Sequence, residues 1–333
     1  MTSKQHITLA CLQMGILHEC SPELNPFREG FSIQKAKVAL AKRIDLFGDA
    51  LMSQCSKEID LIVCVEDMPG LGLCSTYLDD PSVFEELVQF SEPIVHACLA
   101  KAALHFNMHI VGCYNRKENA EVYNCAVLID RSGNETGCYR KVHLPGSESW
   151  LVGAGDSFPV FETDIGKIGM LICYDDNWPE AATCLMLNGA NIICHPTLAT
   201  PLDFRVRTRA FDNKVYYLTT SRQYSMIAAP NGEILANAGD AHPCVIQTEQ
   251  NMGDYLEFPK LYSSLYSGIT NVRDRHVALR KVDAYDPLVN PDPPAADGIG
   301  PHATAEDVYP VHRSEMEKEI NGESGDYEWS TDD

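Results

Sequence analysis

The sequence contains no pair of cysteines in the spacing Cys-x-x-Cys, although 13 of its 333 residues are cysteine. Tetrahedral zinc sites and thioredoxin-like redox sites commonly use that spacing, so neither kind of site is supported and we expect no metal. We interpret most of the thiols as small buried apolar side chains in a reducing compartment.

Long apolar runs and basic residues are also scarce. No apolar run approaches the ~20 residues that a membrane-spanning helix needs, and residues 1–6 lead into a short apolar run without the pattern of a secretory leader. The chain has 26 basic and 47 acidic side chains, a formal net charge of −21. Such a negative field disfavours nucleic acid and anionic membranes as partners. We therefore expect a cytoplasmic protein that binds neither.

Helix-like and strand-like segments alternate along most of the chain. The apolar patterns predict strands at 7–13, 60–66, 109–114, 123–130, 136–142, 167–173, 191–195, 215–221, 226–229 and 233–236. They predict helices at 32–57, 81–105, 180–188 and 202–213, the second with Ser82 as its N-cap. This alternation indicates an α/β fold with helices covering sheets.

The composition changes after about residue 286. Four prolines, at positions 287, 291, 293 and 294, are followed by a segment from residue 301 with ten acidic and two basic side chains. Such a segment is typical of a solvated tail. We predict one domain over residues 1–286 and an acidic extension over residues 287–333.

The strongest local feature surrounds Cys173, in the segment Gly169-Met-Leu-Ile-Cys-Tyr-Asp-Asp-Asn-Trp-Pro-Glu180. The cysteine follows a predicted buried strand and precedes a tight turn and a helix. Open α/β sheets form their sites at such strand ends. The turn would expose the sulfur and direct backbone N–H groups toward the same space, so Cys173 is a candidate nucleophile, although a buried structural cysteine would share much of this pattern.

Three charged residues follow predicted strands or the loops after them. Glu66 ends an apolar run, where partial desolvation would suit a general base, and Lys141 follows the second strand of the predicted hairpin. Glu148 lies in the loop that comes next. Each residue alone is more typical of a solvated surface. Together with Cys173 they supply a nucleophile, a base and a cation that stabilises an oxyanion.

The order and context of these residues resemble the nitrilase superfamily of carbon–nitrogen hydrolases. The matching motifs are Val-Glu66-Asp-Met-Pro, Lys141-Val-His-Leu, Glu148 downstream of the lysine, and Cys173-Tyr-Asp followed by Pro-Glu180. Weaker matches are the opening strand, Arg209-Ala-Phe-Asp-Asn213 and a Pro230-Asn-Gly hairpin, so the resemblance covers roughly residues 5–285. The chain departs from the family pattern at Val65, at Asp212, in the segment 19–35 and in the tail.

The resemblance implies a four-layer α-β-β-α sandwich that pairs through helices into a homodimer or a higher oligomer. It implies that Glu66 is the general base, that Cys173 forms a thioester, and that Lys141 and the backbone N–H of Tyr174 hold the oxyanion. Glu148 would position Lys141, and the positive charge of Lys141 would favour the Cys173 thiolate. No metal or organic cofactor is needed.

The implied substrate is a small linear amide or N-carbamoyl compound, from which ammonia is released. Family members that act on nitriles tend to have Trp-Glu after the cysteine, whereas this chain has Tyr174-Asp175. A nitrilase, a catalytically silent binding or regulatory protein and a papain-like enzyme are the alternatives. Asn177 and Trp178 are candidate substrate contacts. We interpret His195 as structural, and at least two of Arg205, Arg207 and Arg209 as solvated.

Overall fold

The computed structural model describes residues 6–15, 22–24, 26, 29–71, 77, 80–255 and 271–289. The predicted extension therefore lies outside the described residues from position 290 onward, and so do residues 19–21, 25, 27 and 28 of the segment 19–35. The predicted boundary at residue 286 coincides with a short helix, Asp286–Val289.

The described residues form twelve strands. They are β1 His6–Gln13, β2 Leu61–Val63, β3 His109–Glu118, β4 Glu121–Ile129, β5 Glu135–Arg140, β6 Val160–Thr163, β7 Gly166–Met170, β8 Ile192–Pro196, β9 Tyr216–Thr220, β10 Met226–Ala228, β11 Ile234–Asn237 and β12 Cys244–Asn251. The helices are α1 Ile33–Gln54, α2 Pro81–Phe106, α3 Pro179–Leu187, α4 Asp203–Asn213, α5 Val272–Ala278 and α6 Asp286–Val289.

The strands form two six-stranded mixed sheets. The first has the order β12-β1-β2-β3-β4-β5 and the second β11-β10-β9-β8-β7-β6. In the first sheet, β2 lies between β1 and β3 and is parallel to both. In the second sheet, β8 lies between β7 and β9 and is parallel to both. The outer strands are antiparallel to their neighbours. Parallel strands need crossover helices, which accounts for the helices on the outer faces.

The two sheets pack face to face between helices. Leu9, Val63 and Val111 from the first sheet share one apolar core with residues of β8 and β9 from the second, and α3 and α4 add to it. The outer face of the first sheet packs on α1 and α2 through residues such as Phe47 and Leu99. The layer order is α-β-β-α, so the predicted four-layer sandwich is confirmed.

Three local predictions were wrong. Helix α2 begins at Pro81 with Asp80 at its N-cap position, and Ser82 lies inside the first turn, where its hydroxyl donates to the Asp80 carboxylate. Strands β6 and β12 were not predicted. Strand β12 pairs with β1 over its whole length, from His6 opposite Asn251 to Gln13 opposite Cys244. Its pattern of half-buried residues lacks the apolar run that identifies a strand by sequence.

Among the helices of the described ranges, none is long and apolar enough to cross a bilayer.

Candidate active site

The predicted nucleophile, base and lysine all lie at or just beyond strand ends. Glu66 follows β2 by three residues, Lys141 comes directly after β5, and Cys173 follows β7 by three residues. The strand before Cys173 ends at Met170, and Cys173 itself begins a 3-10 turn, Cys173–Asn177. Backbone beyond a strand end is free to turn, so these side chains can leave their sheets and approach one another.

Lys141 is the centre of the charged cluster. Its Nζ atom donates to Oε1 of Glu66 at 3.1 Å and to Oε2 of Glu148 at 2.7 Å. The lysine side chain is 1% exposed. Burial by itself lowers the pKa of Lys141, but the two carboxylates outweigh it and raise that pKa well above its usual value. Lys141 is therefore a permanent cation, as charge stabilisation requires.

Asn124 of β4 connects the two carboxylates from the other side. Its Nδ2 atom donates to Oε1 of Glu66 at 3.0 Å and to Oε1 of Glu148 at 2.8 Å. The backbone N–H of Leu198 donates to Oε2 of Glu66 at 2.9 Å. Sequence reasoning missed Asn124. A single amide inside an apolar strand was the available signal, because a buried polar side chain has to find partners.

The Glu148 carboxylate is mostly buried, with 14% of its side chain exposed. Burial raises the pKa of Glu148, and Glu66 adds to that effect, while Lys141 opposes it. Glu66 and Glu148 thus share the positive charge of Lys141 in a site that is largely shielded from water.

Cys173 occupies a left-handed backbone conformation, with φ of 45°. Such a conformation is uncommon for a residue with a Cβ atom and marks functional turns. The Cys173 carbonyl accepts a hydrogen bond from Nε2 of His195 at 3.0 Å, while His195 Nδ1 lies 3.3 Å from the Thr219 hydroxyl. His195 thus supports the turn through the backbone, which fits the structural role that we inferred for it.

Glu66, Thr197 and Lys141 lie close enough to the Cys173 thiol to act on its pKa. Burial raises the pKa of Cys173 to about 12, and the charge of Glu66 adds to this effect. The charge of Lys141 lowers that pKa, as we predicted, but by less than burial and Glu66 raise it. At neutral pH the group is a thiol beside a carboxylate, so its use as a nucleophile would require a base to take the proton.

Asp175 holds the cysteine turn against the lysine segment. Its Oδ2 atom accepts from the Ile172 N–H at 2.9 Å and from the Tyr139 hydroxyl at 2.6 Å. Its Oδ1 atom accepts from the His143 N–H at 2.9 Å. Tyr139 and His143 lie two positions on either side of Lys141. This buried carboxylate therefore connects the Cys173 turn to the segment that carries Lys141.

Asp176 connects the same turn to α4 and β9. It accepts from the Tyr217 hydroxyl at 2.8 Å, and its carboxylate lies 3.3 Å from Nε of Arg209. Arg205 lies 3.8 Å from it and also donates to Asn177 at 2.6 Å. These two arginines serve the turn itself. Arg207 is half exposed and donates to the Gly232 carbonyl.

The candidate substrate contacts differ in their placement. Asn177 is exposed, and its side chain accepts from Arg205. Trp178 stacks on His143 with ring centroids 4.0 Å apart and on Tyr174 edge to face at 5.0 Å. Substrate contact by Asn177 and Trp178 stays a prediction, and so does oxyanion binding by the Tyr174 N–H.

Proteins of known family resemble this chain in sequence. The family model described as carbon-nitrogen hydrolase matches residues 69–259, a range that begins three residues after Glu66. A nitrilase from Pyrococcus abyssi is 31% identical over 218 residues, which cover 62% of this chain and 79% of that protein. An N-carbamoylputrescine amidase from Arabidopsis thaliana is 28% identical over 226 residues, which cover 57% and 75%.

The solved structures extend the likeness of fold. A carbon-nitrogen hydrolase from Helicobacter pylori superposes with a TM-score of 0.63 at 20% identity, and the match covers 86% of this chain and 99% of that one. The comparison at this identity concerns the fold alone, and it agrees with the α-β-β-α layers.

Proposed function

This chain belongs to the carbon-nitrogen hydrolase family, and on that premise we propose that it hydrolyses a small linear amide or N-carbamoyl compound and releases ammonia. Cys173 would be the nucleophile, Glu66 the general base and Lys141 the oxyanion-binding cation. The observation that carries the proposal is the contact of one buried lysine with two carboxylates, one of which, Glu66, also raises the pKa of the Cys173 thiol.

In the first half-reaction, Glu66 takes the thiol proton as the Cys173 sulfur bonds to the carbonyl carbon. The negative charge that develops on the oxygen faces Lys141 and the Tyr174 N–H, and one such donor contributes about 2.7–4 kcal/mol to transition-state stabilisation. The carbon–nitrogen bond then breaks, the nitrogen receives the proton from Glu66, and ammonia leaves. A thioester remains on Cys173.

In the second half-reaction, water attacks the thioester carbon. A carboxylate takes the water proton, the carbon–sulfur bond breaks, and the sulfur regains a proton. Glu66 is the proposed base here too, because the Leu198 and Asn124 bonds fix its position. Glu148 would position Lys141 and share the base role. Neither half-reaction draws on a metal or an organic cofactor.

The test is the comparison of an amide and a nitrile that carry the same side group. We expect ammonia release from the amide and a kcat/KM for the nitrile that is at least tenfold lower, because a tetrahedral oxyanion suits Lys141 better than a planar thioimidate. Cys173→Ala should remove turnover without changing the circular dichroism spectrum, and Cys173→Ser should be nearly inactive.

A tenfold preference for the nitrile, about 1.4 kcal/mol in transition-state binding, would reject the amide assignment in favour of a nitrilase. Undiminished turnover by Cys173→Ala would reject the mechanism. No turnover by the wild-type chain on any amide, carbamoyl compound or nitrile would favour a silent binding protein.

We also propose that the chain forms a homodimer or higher oligomer through α4. Phe204 and Phe211 on that helix are 66% and 51% exposed, which is unusual for aromatic side chains on a monomer surface. Light scattering after gel filtration should give at least twice the mass of 36.9 kDa. Phe204→Asp with Phe211→Asp should shift it to the monomer, and a wild-type monomer would contradict the proposal.

The cytoplasmic location and the acidic extension stay part of the proposal. The cysteines of the described residues are free thiols, which suits a reducing compartment. We propose that residues 287–333 form an appendage to a domain of residues 1–286, and a truncation experiment for this division is given in the Discussion.

A further inference from the structure

A second cluster of reactive side chains lies on the face of the first sheet that points away from the candidate active site. Glu118 of β3, Cys125 of β4 and Cys138 of β5 place their ligand atoms within 4.8 Å of one another. Both cysteines join the core beneath α1 and α2, whereas the neighbouring Asn124 points to the charged cluster. We propose that these three residues bind a thiophilic divalent metal ion such as Zn²⁺.

The distances suit such an ion. Two thiolates at about 2.3 Å from a tetrahedral zinc lie about 3.8 Å apart. Side-chain rotations that move the ligand atoms by about 1 Å would therefore close the cluster around a metal. Two sulfurs and a carboxylate leave the fourth position for water. The three strands are hydrogen-bonded neighbours, so the ligands start from a rigid sheet.

The strand register favours an ion over a disulfide. Cys138 pairs with Val127, so Cys125 and Cys138 are diagonal neighbours. Diagonal positions on antiparallel strands lie about 7–8 Å apart at Cα, whereas disulfides mostly span about 4.4–6.8 Å. An ion between the sulfurs bridges that gap without moving the backbone.

The surrounding charges are compatible with the bound state. A divalent ion with two thiolates and one carboxylate carries a net charge of −1. Arg140 donates to Oε2 of Glu118, which leaves Oε1 for the metal and supplies the balancing positive charge. Arg116, which pairs with Glu135 at 2.8 Å, lies on the same face of the sheet.

The spacing in the sequence conceals this cluster. Cys125 and Cys138 are thirteen positions apart, and Cys-x-x-Cys patterns detect only ligands that are close along the chain. The β4–β5 hairpin brings them together. The expectation of no metal was drawn from the absence of that short spacing, and it does not address ligands that strand pairing brings together.

Cadmium titration of the full chain tests the proposal. The parent should be the Cys173→Ala variant, stripped with chelator under reducing conditions, so that the active-site thiol cannot contribute. We expect a thiolate-to-cadmium absorption band that saturates at one equivalent and is displaced by Zn²⁺. Cys125→Ser and Cys138→Ser should each weaken this binding at least tenfold, and Glu118→Gln should weaken it less.

Cys184→Ser is the matched control, because Cys184 is a half-buried thiol on α3 outside the cluster, and its titration should equal that of the parent. If Cys125→Ser unfolds, the half-exposed Cys138 and Glu118 decide the outcome. Titrations of Cys138→Ser and Glu118→Gln that match the parent would overturn the proposal. So would a Cys125–Cys138 disulfide that forms under mild oxidant, seen as a 2 Da mass loss, in a chain that takes up no cadmium. Neither result depends on turnover, so the proposed hydrolase function is tested separately.

Discussion

Replacement of Lys141 by Met is the most informative change in the charged cluster. The lysine side chain is 1% exposed, and its partners Glu66 and Glu148 are 5% and 14% exposed. Removing one partner of a buried ion pair costs about 3–5 kcal/mol, because the other charge stays behind without compensation. For a domain of this size we expect the melting temperature to fall by roughly 5–8 °C.

The same change should lower kcat by a factor of about 10²–10³ or more, since it removes the cation that we propose faces the oxyanion. A second substitution separates the two effects. Glu148→Gln in the Lys141→Met background removes one uncompensated charge and keeps an oxygen for Asn124, so at least half of the lost stability should return. Turnover should not return.

The pH dependence of stability gives an independent check. Burial raises the pKa of Glu148, and the loss of Lys141 would raise it further. When a carboxyl group has a higher pKa in the folded state than in the unfolded state, the free energy of unfolding of the protein falls as pH rises through the folded-state pKa. The deficit of Lys141→Met relative to wild type should therefore shrink as pH falls from neutral toward the usual pKa of a glutamic acid, about 4.3. Calorimetry measures the stability of each variant, and steady-state assays measure its turnover. A variant with wild-type stability and turnover would refute the reasoning, and so would a double variant with restored turnover.

Three further predictions concern Glu66, Asn124 and the acidic extension. Glu66→Gln should abolish turnover yet speed iodoacetamide alkylation of Cys173 at pH 9, because Glu66 raises the pKa of that thiol; slower alkylation, read by peptide mass spectrometry, would contradict this. Asn124→Ala loses two bonds to charged groups, each worth about 1.5–3 kcal/mol, so kcat should fall at least tenfold, whereas unchanged kinetics would show that Lys141 alone orders the acids. Truncation after residue 289 should leave the melting temperature within about 2 °C, and a larger fall would mean that the removed segment packs on the domain.

The order of the candidate reacting groups could be read from the sequence because short motifs around them match a known family. Glu66 and Cys173 also follow buried runs, whereas Lys141 follows a strand of alternating burial. Asn124 was missed because one amide within a strand has no pattern of its own, and its two partners lie 58 and 24 positions away along the chain. The sequence showed Asp175 only as part of the motif Cys173-Tyr-Asp. Its bonds to Tyr139 and His143 depend on how β5 approaches the cysteine turn.

Local pattern also explains the errors in the fold. Strand β12 pairs with β1 across more than 230 positions, and its edge location leaves only half-buried residues to reveal it. Ser82 was a reasonable N-cap by residue type, but Pro81 begins the helix because its ring already has the φ angle of a first helical residue.

The sequence by itself determined the alternation of helices and strands, the strand ends that carry reactive groups, and the family. Those properties depend on residue type and on spacing along the chain. Only the tertiary structure decided the electrostatics. Burial, not composition, makes Cys173 a thiol with a pKa of about 12 and keeps Lys141 charged between two carboxylates. The cost of desolvation depends on what surrounds a group in space, and strands distant in the sequence supply those surroundings.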